Sequence, residues 1–255
     1  MTPRSAIVTG AGRGIGLEIA RVLCAQGLAV GVNDLDAAIA EQAAAELRNA
    51  GGIALACPGD VTKASDVTAM VERVEAELGA LWLLVSNAGV FHAAPTADFP
   101  EEAWDREFAV DAKAAFLCSQ AAIRRMIPRH GGRIVIISSI AGQIVRTGQI
   151  AYCAAKAAAI HFARCLAVEM APHGITVNCV CPGMTDSAML RQSAAARGVE
   201  IGAYLKMIPA AKLATGGDHA AVVAWLASED AGHVTGQVIT VDGGQSLYHP
   251  LTRNG

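Results

Sequence analysis

The 255-residue chain has no run of 18 apolar residues, no lysine-rich stretch, no Pro- or Ser-rich linker, no low-complexity tract and no fixed-period repeat. Without a long apolar run, a membrane span is not expected. With a net charge of −3 and no basic run, nucleic acid is not an expected partner. The length could hold two domains, but with no linker it reads as one domain over residues 1–255. The seven histidines fall at no ligand spacing. Cys179-Val-Cys181 has no second cysteine pair near it, so both read as small buried hydrophobes and no metal is expected. Cys153 likewise reads as a small helix residue. Seven cysteines make an odd count, and the N-terminus enters a strand-like run at once, leaving no room for a signal peptide. Reduced thiols and a cytoplasmic location are therefore the expectation.

What is present is apolar and alternating. At 53% hydrophobic, the chain can bury roughly 70–75% of its unfolded surface in one large domain. Strand-like runs at 5–9, 28–32, 52–57, 81–85, 133–138, 174–180 and 237–241 alternate with helical patterns. That alternation predicts an α/β fold, a doubly wound parallel sheet of about seven strands with helices on both faces.

The first strand run leads into Gly10-Ala11-Gly12-Arg13-Gly14-Ile15-Gly16 and then a helical pattern. Strand, glycine turn and helix together make a dinucleotide site. The glycines permit a tight turn and close backbone approach, and the helix N-terminus offers unpaired N–H groups to a pyrophosphate. Gly10, Arg13, Gly14, Ile15 and Gly16 are the candidate contacts. Asp34 ends the second strand run, about 20 residues on, where a carboxylate would bond the adenosine ribose and repel a 2′-phosphate. NAD is therefore expected over NADP, although Arg13 argues the other way. Asp34 could also cap the helix expected at 36–49.

Tyr152 and Lys156 lie one turn apart on an Ala-rich helix, and Ser139 ends a strand thirteen residues before the tyrosine. An ammonium so placed favours the phenolate, and a serine hydroxyl could bond both the phenol and a substrate oxygen. Such a trio suits general acid/base work on an alcohol.

These pieces, in order, resemble the short-chain dehydrogenase/reductase family over essentially the full chain. The motifs are Thr9-Gly-x-x-x-Gly14-x-Gly16, Asp60-Val61, Asn87-Ala88-Gly89, Ser139, Tyr152-x-x-x-Lys156, Asn178, Pro182-Gly183 and Val241-Asp242-Gly243-Gly244. The resemblance implies a Rossmann-type fold with Tyr152 as acid/base, Ser139 on the substrate oxygen and Lys156 on the tyrosine and nicotinamide ribose. It implies that Asp60 and Val61 meet the adenine and that Asn87, Ala88 and Gly89 line the cofactor cleft. Pro182, Gly183, Thr185 and Ser187 would lie by the nicotinamide. Ser138 is one residue off the motif and is expected to be structural. Asp111 stands where the family commonly has an asparagine in a proton relay; an ionised carboxylate accepts hydrogen bonds but donates none, so an altered pH dependence is expected. The resemblance also implies that the helices around 109–125 and 153–168 pair between subunits, giving a homo-oligomer, a dimer or a tetramer.

Arg146, Gln149, His92 and Met184 are candidate substrate contacts, and 184–213, with Met184, Met189 and Leu190, is the expected lid. The segments around Arg146 and Pro182 resemble dehydrogenases of dihydroxylated cyclohexadiene carboxylates, where the arginine would pair with a carboxylate. The expected substrate is a small polar diol, polyol or cyclic hydroxy compound. The alternatives are an NADPH-dependent 3-oxoacyl thioester reductase and a non-catalytic dinucleotide-binding regulator.

Overall fold

The structure is a computed structural model that describes residues 4–196 and 198–248. Seven strands are present: β1 (Ser5–Val8), β2 (Ala29–Val32), β3 (Ile53–Ala56), β4 (Leu81–Ser86), β5 (Gly132–Ile137), β6 (Ile175–Pro182) and β7 (Val238–Val241). Each falls within one or two residues of an expected run. They form one parallel sheet in the order β3-β2-β1-β4-β5-β6-β7. The register sets Ile7 beside Gly31 on one side and Leu84 on the other. β1, β2, β5 and β6 are buried along their whole length, as strands covered on both faces must be; Arg133 of β5 is the one charged residue in these four strands.

The helices are α1 (Gly14–Ala25), α2 (Ala37–Asn49), α3 (Ala64–Leu78), α4 (Glu101–Phe108), α5 (Ala114–Met126), α6 (Ile150–Met170), α7 (Ala188–Ala196), α8 (Ile201–Leu205) and α9 (Gly216–Ala227). One core layer joins Ile19, Leu23, Leu47, Val223 and Leu226 of α1, α2 and α9 to Val8, Val30 and Val135. The other joins Val74, Cys118, Met126, Ile160 and Leu166 of α3, α5 and α6 to Ile7, Leu84 and Ile134. Strand order reverses direction between β1 and β4, which opens a crevice beyond their carboxyl ends.

Two elements differ from expectation. The long helix around 109–125 is interrupted by a π-helical turn at Ala109–Lys113, between α4 and α5. The expected lid at 184–213 folds into α7 and α8, and it is tied back by a parallel bridge between Thr185 and Ala214. Arg197 and the side chain of Met189 lie outside the described residues. One helical stretch, Ile150–His173, is long and apolar enough by length and composition to cross a membrane. Its few charges are spread out, so composition alone hides that it packs on β6 and buries Lys156.

Candidate active site

The glycine turn follows β1. Gly10 and Gly14 take positive φ values of 59° and 60°. A Cβ on Gly16 would lie 2.4 Å from the Gly10 carbonyl oxygen, so only glycine lets the helix start this close to the turn. Arg13 precedes α1 with no side-chain cap, which leaves first-turn N–H groups, Ile15 among them, facing the crevice. These features fit a dinucleotide pyrophosphate. Arg13 itself is exposed.

Asp34 Oδ2 lies so near the turn that a Cβ on Gly12 would stand 2.5 Å from it. Asp36, not Asp34, caps α2, accepting from Ala38 N and Ile39 N. Among the described residues Asp34 accepts a local bond from Asp36 N at its Oδ1, 3.2 Å away, which leaves Oδ2 able to accept from a ribose. Asp60 accepts from Thr62 N and Oγ1 at 3.0 and 2.7 Å, and the Thr62 side chain in particular holds the carboxyl below its usual range. Val61 is buried beside it.

The Asn87 amide lies against the glycine turn. It donates to Thr9 O and Gly10 O at 2.9 and 3.1 Å, while the backbone N of Asn87 and of Ala88 donate to Thr9 Oγ1. The side chain fastens the glycine turn to β4. Asn178 is structural in the same way, bonded to Val234 O and Gln237 N.

Ser139 follows β5 and caps the 3-10 turn Ile140–Gly142, accepting from Ala141 N at 3.1 Å. A Cβ on Gly142 would come within 2.8 Å of the Lys156 backbone, so this glycine lets the turn sit flat on α6. The contact brings the Ser139 side chain beside Tyr152, where its hydroxyl opposes the upward shift of the phenol. Ser138 points the other way, donating to Lys156 O at 2.8 Å. Lys156 Nζ is 5.6 Å from the Tyr152 ring centroid, 3.1 Å from Ile137 O and 3.0 Å from Asp111 Oδ1. Asp111 sits in the π turn, buried, and its Oδ2 accepts from Val90 N at 3.3 Å.

Burial dominates the electrostatics. It pushes the Tyr152 phenol above its ordinary range; Lys156 opposes this and the Asp111 carboxylate reinforces it. The net direction is opposite to the expectation from the lysine alone, because water is removed from the phenolate faster than one ammonium can compensate. Burial raises Asp111 as well, against the pull of Lys156. Burial alone would lower Lys156, but Asp111 and then Tyr152 outweigh it and the ammonium holds its proton more tightly than usual.

The residues expected beside the nicotinamide cluster at the end of β6. Pro182 ends the strand, and Gly183 packs on Asp242. Thr185 Oγ1 donates to Gly183 O at 3.1 Å and lies 2.8 Å from His219 Nε2. Ser187 starts α7 by accepting from Leu190 N. Met184 is half-buried, its N held by Gln245 Oε1 at 3.1 Å. Arg146 and Gln149 lie half-buried on the loop before α6, joined to the loop after β4 by Ala94 N donating to Gly148 O. His92 is exposed, with its ring edge-on to Phe99 at 5.3 Å.

Three residues of the site escape sequence reasoning: Glu107, which accepts from His92 N at 2.5 Å; His219; and Gln245. Glu107 lies one turn before Asp111, a spacing that could have marked it. His219 and Gln245 reach partners 34 and 61 residues away with no local signal.

A glycine turn under a helix start, at the switch point of a seven-stranded parallel sheet, with Ser139, Tyr152 and Lys156 across the crevice, defines a dinucleotide-dependent oxidoreductase. A family model for short chain dehydrogenases matches residues 4–198, and the chain belongs to that family. It is an NAD(P)-dependent oxidoreductase acting on CH–OH groups. 2-(S)-hydroxypropyl-CoM dehydrogenase 3 of Xanthobacter autotrophicus is 39% identical over 242 residues, covering 94% of this chain and 95% of that one. Cis-4-hydroxycyclohexanecarboxylate dehydrogenase of Sinomonas cyclohexanicum is 38% identical, covering 94% and 96%. The solved structure of a putative gluconate dehydrogenase from Agrobacterium tumefaciens superposes with a TM-score of 0.91 at 30% identity, covering 96% and 97%.

Proposed function

We propose that this chain interconverts a secondary alcohol and its ketone on a small polar hydroxy compound, using NAD, and that a carboxylated cyclic alcohol or diol fits best. The observation that carries the reaction is the convergence of Ser139, Tyr152 and Lys156 on the crevice beside the glycine turn. Tyr152 takes the hydroxyl proton at its phenolic oxygen during oxidation and returns it during reduction. Ser139, beside the phenol, orients the substrate oxygen. Lys156 opposes the burial that disfavours the phenolate, and Asp111 keeps Lys156 charged. A bound nicotinamide supplies the hydride acceptor for the carbinol C–H. Fixed placement of these groups supplies much of the rate.

Asp34 beside Gly12 supports NAD, since a 2′-phosphate there would meet a carboxylate. Arg146 on the loop before α6 supports an acidic substrate. Two of the proteins this chain is similar to carry names of hydroxycarboxylate dehydrogenases, for hydroxycyclohexanecarboxylate and gluconate. The Ala-rich faces of α5 and α6, with Phe116 and Val168 exposed, support assembly as a homo-oligomer.

Two measurements test the reading. Titration with NADH and NADPH, followed by tryptophan fluorescence, is expected to give much tighter NADH binding; tighter NADPH binding would move a thioester reductase to the front. With cis-4-hydroxycyclohexanecarboxylate as substrate, Arg146→Ala is expected to raise KM roughly 10- to 100-fold, the worth of a charge-assisted hydrogen bond. The KM for uncharged cyclohexanols should not move. Equal effects on both would remove the carboxylate.

A further inference from the structure

Glu107 is 1% exposed, and its Oε2 has no hydrogen-bond partner. Its Oε1 accepts from His92 N at 2.5 Å, and one turn on, Asp111 Oδ2 accepts from Val90 N at 3.3 Å. Two carboxylates four residues apart thus take the N–H groups on either side of Phe91. Between them the Phe91 ring meets Tyr152 edge-on, centroids 5.3 Å apart at 88°.

We propose that Glu107 is a positioning residue, the second half of a two-carboxylate clamp that holds the loop Val90–His92 and so sets Phe91 as an aromatic wall on Tyr152. The role deepens the assignment of Tyr152 as acid/base and rests on it; the choice of substrate does not enter. Without the clamp, two N–H groups of the loop would lack acceptors, and nothing else described would fix the phase of Phe91. A buried carboxylate is a costly acceptor when an amide could accept the same bond. The charge therefore has a second effect, which acts on the groups around it. These are Asp111 from the adjoining turn, Lys156, Tyr152 and Cys153 from α6, and the His92 loop. Burial holds Glu107 above the usual carboxylate range, with the His92 bond opposing and Asp111 reinforcing. Once ionised, it adds to the negative charge that disfavours the phenolate.

The test compares Glu107→Gln with Glu107→Leu. Glutamine keeps an acceptor for His92 N and removes the charge, whereas leucine removes both. Amide hydrogen exchange at His92 should accelerate about ten-fold or more in E107L and stay near the parent rate in E107Q, the factor a lost hydrogen bond implies. The protein has three tyrosines, so a Tyr204→Phe, Tyr248→Phe background isolates Tyr152 for near-ultraviolet titration. There both variants should shift tyrosinate formation to lower pH. Unchanged exchange in folded E107L overturns the clamp, and an unmoved titration in both variants overturns the charge effect. Neither readout needs turnover, so a Tyr152→Phe enzyme that still worked would sink the acid/base assignment separately.

Discussion

Arg133 and Lys156 are both cations only 4% exposed, and they grip opposite ends of one strand. At the amino end of β5, Arg133 donates to Gly132 O at 3.0 Å and Ser228 O at 3.4 Å, lies 3.5 Å from Glu229 and stacks 4.6 Å from the Trp82 centroid. Every side of its guanidinium is met. At the carboxyl end, Lys156 donates to Ile137 O, and its ion pair leaves Asp111 Oδ1 without an aligned hydrogen bond. The other buried polar atoms left unpartnered among the described residues are on Glu107, His219, Gln245 and Ser119. All but Ser119 belong to residues that hold site loops. A folded core normally satisfies its polar groups, so the difference separates polarity kept for stability from polarity kept for chemistry.

The sharpest way to break that comparison is Tyr152→Phe. It should cut kcat by about 10²- to 10⁴-fold, the usual worth of a positioned acid/base, while melting and NADH affinity stay near the parent values. Next is Lys156→Met, which strands a buried carboxylate. It should destabilise the fold by about 3–5 kcal/mol in denaturant unfolding, as well as abolish turnover. A third effect follows from His219, whose burial lowers its pKa from 6.5 to about 4. The unfolded chain binds the proton more readily in that window, so stability is full above pH 6.5 and falls as pH drops towards 4. The loss is about 3 kcal/mol. A His219→Leu protein should show no such slope. The smallest effect belongs to the other end of the sheet. Arg133→Met should cost about 2 kcal/mol of stability through its lost carbonyl bonds, with kcat/KM unchanged in a steady-state assay. A change in turnover there would erase the distinction between the two ends.

Features that depend on neighbours in the chain were legible before the structure. The strands stood out because buried parallel strands are short apolar runs, charged here only at Arg133 of β5, and the glycine turn because its backbone geometry restricts residue type. Tyr152 and Lys156 were visible because one helical turn fixes their separation. What stayed hidden depends on distant partners. Whether Asp34 or Asp36 caps α2 is decided by where the helix starts, and the sequence offers both. The amide of Asn87 could face the cleft or the turn, and only the packed carbonyls of Thr9 and Gly10 decide it. The direction of the Tyr152 shift depends on how much water is excluded, which no spacing reveals. The apolar Ile150–His173 stretch shows the same limit, since composition cannot tell which solid its face will meet.

The π turn Ala109–Lys113 has a mechanical meaning. It joins α4, which packs with α6, to α5, which packs with β4 and α3. A π turn closes over five residues where an α turn closes over four, so it absorbs one extra residue while the two halves of the rod keep their phase. One residue more would turn one half about 100° against the other. The half carrying Ala115, Cys118, Ala122 and Met126 is keyed into the core; the half carrying Glu107 is keyed to the His92 loop. Lengthening the chain here by one more residue would leave the core half seated and swing Glu107 off its loop. In this helix, length itself is under the same constraint as residue identity.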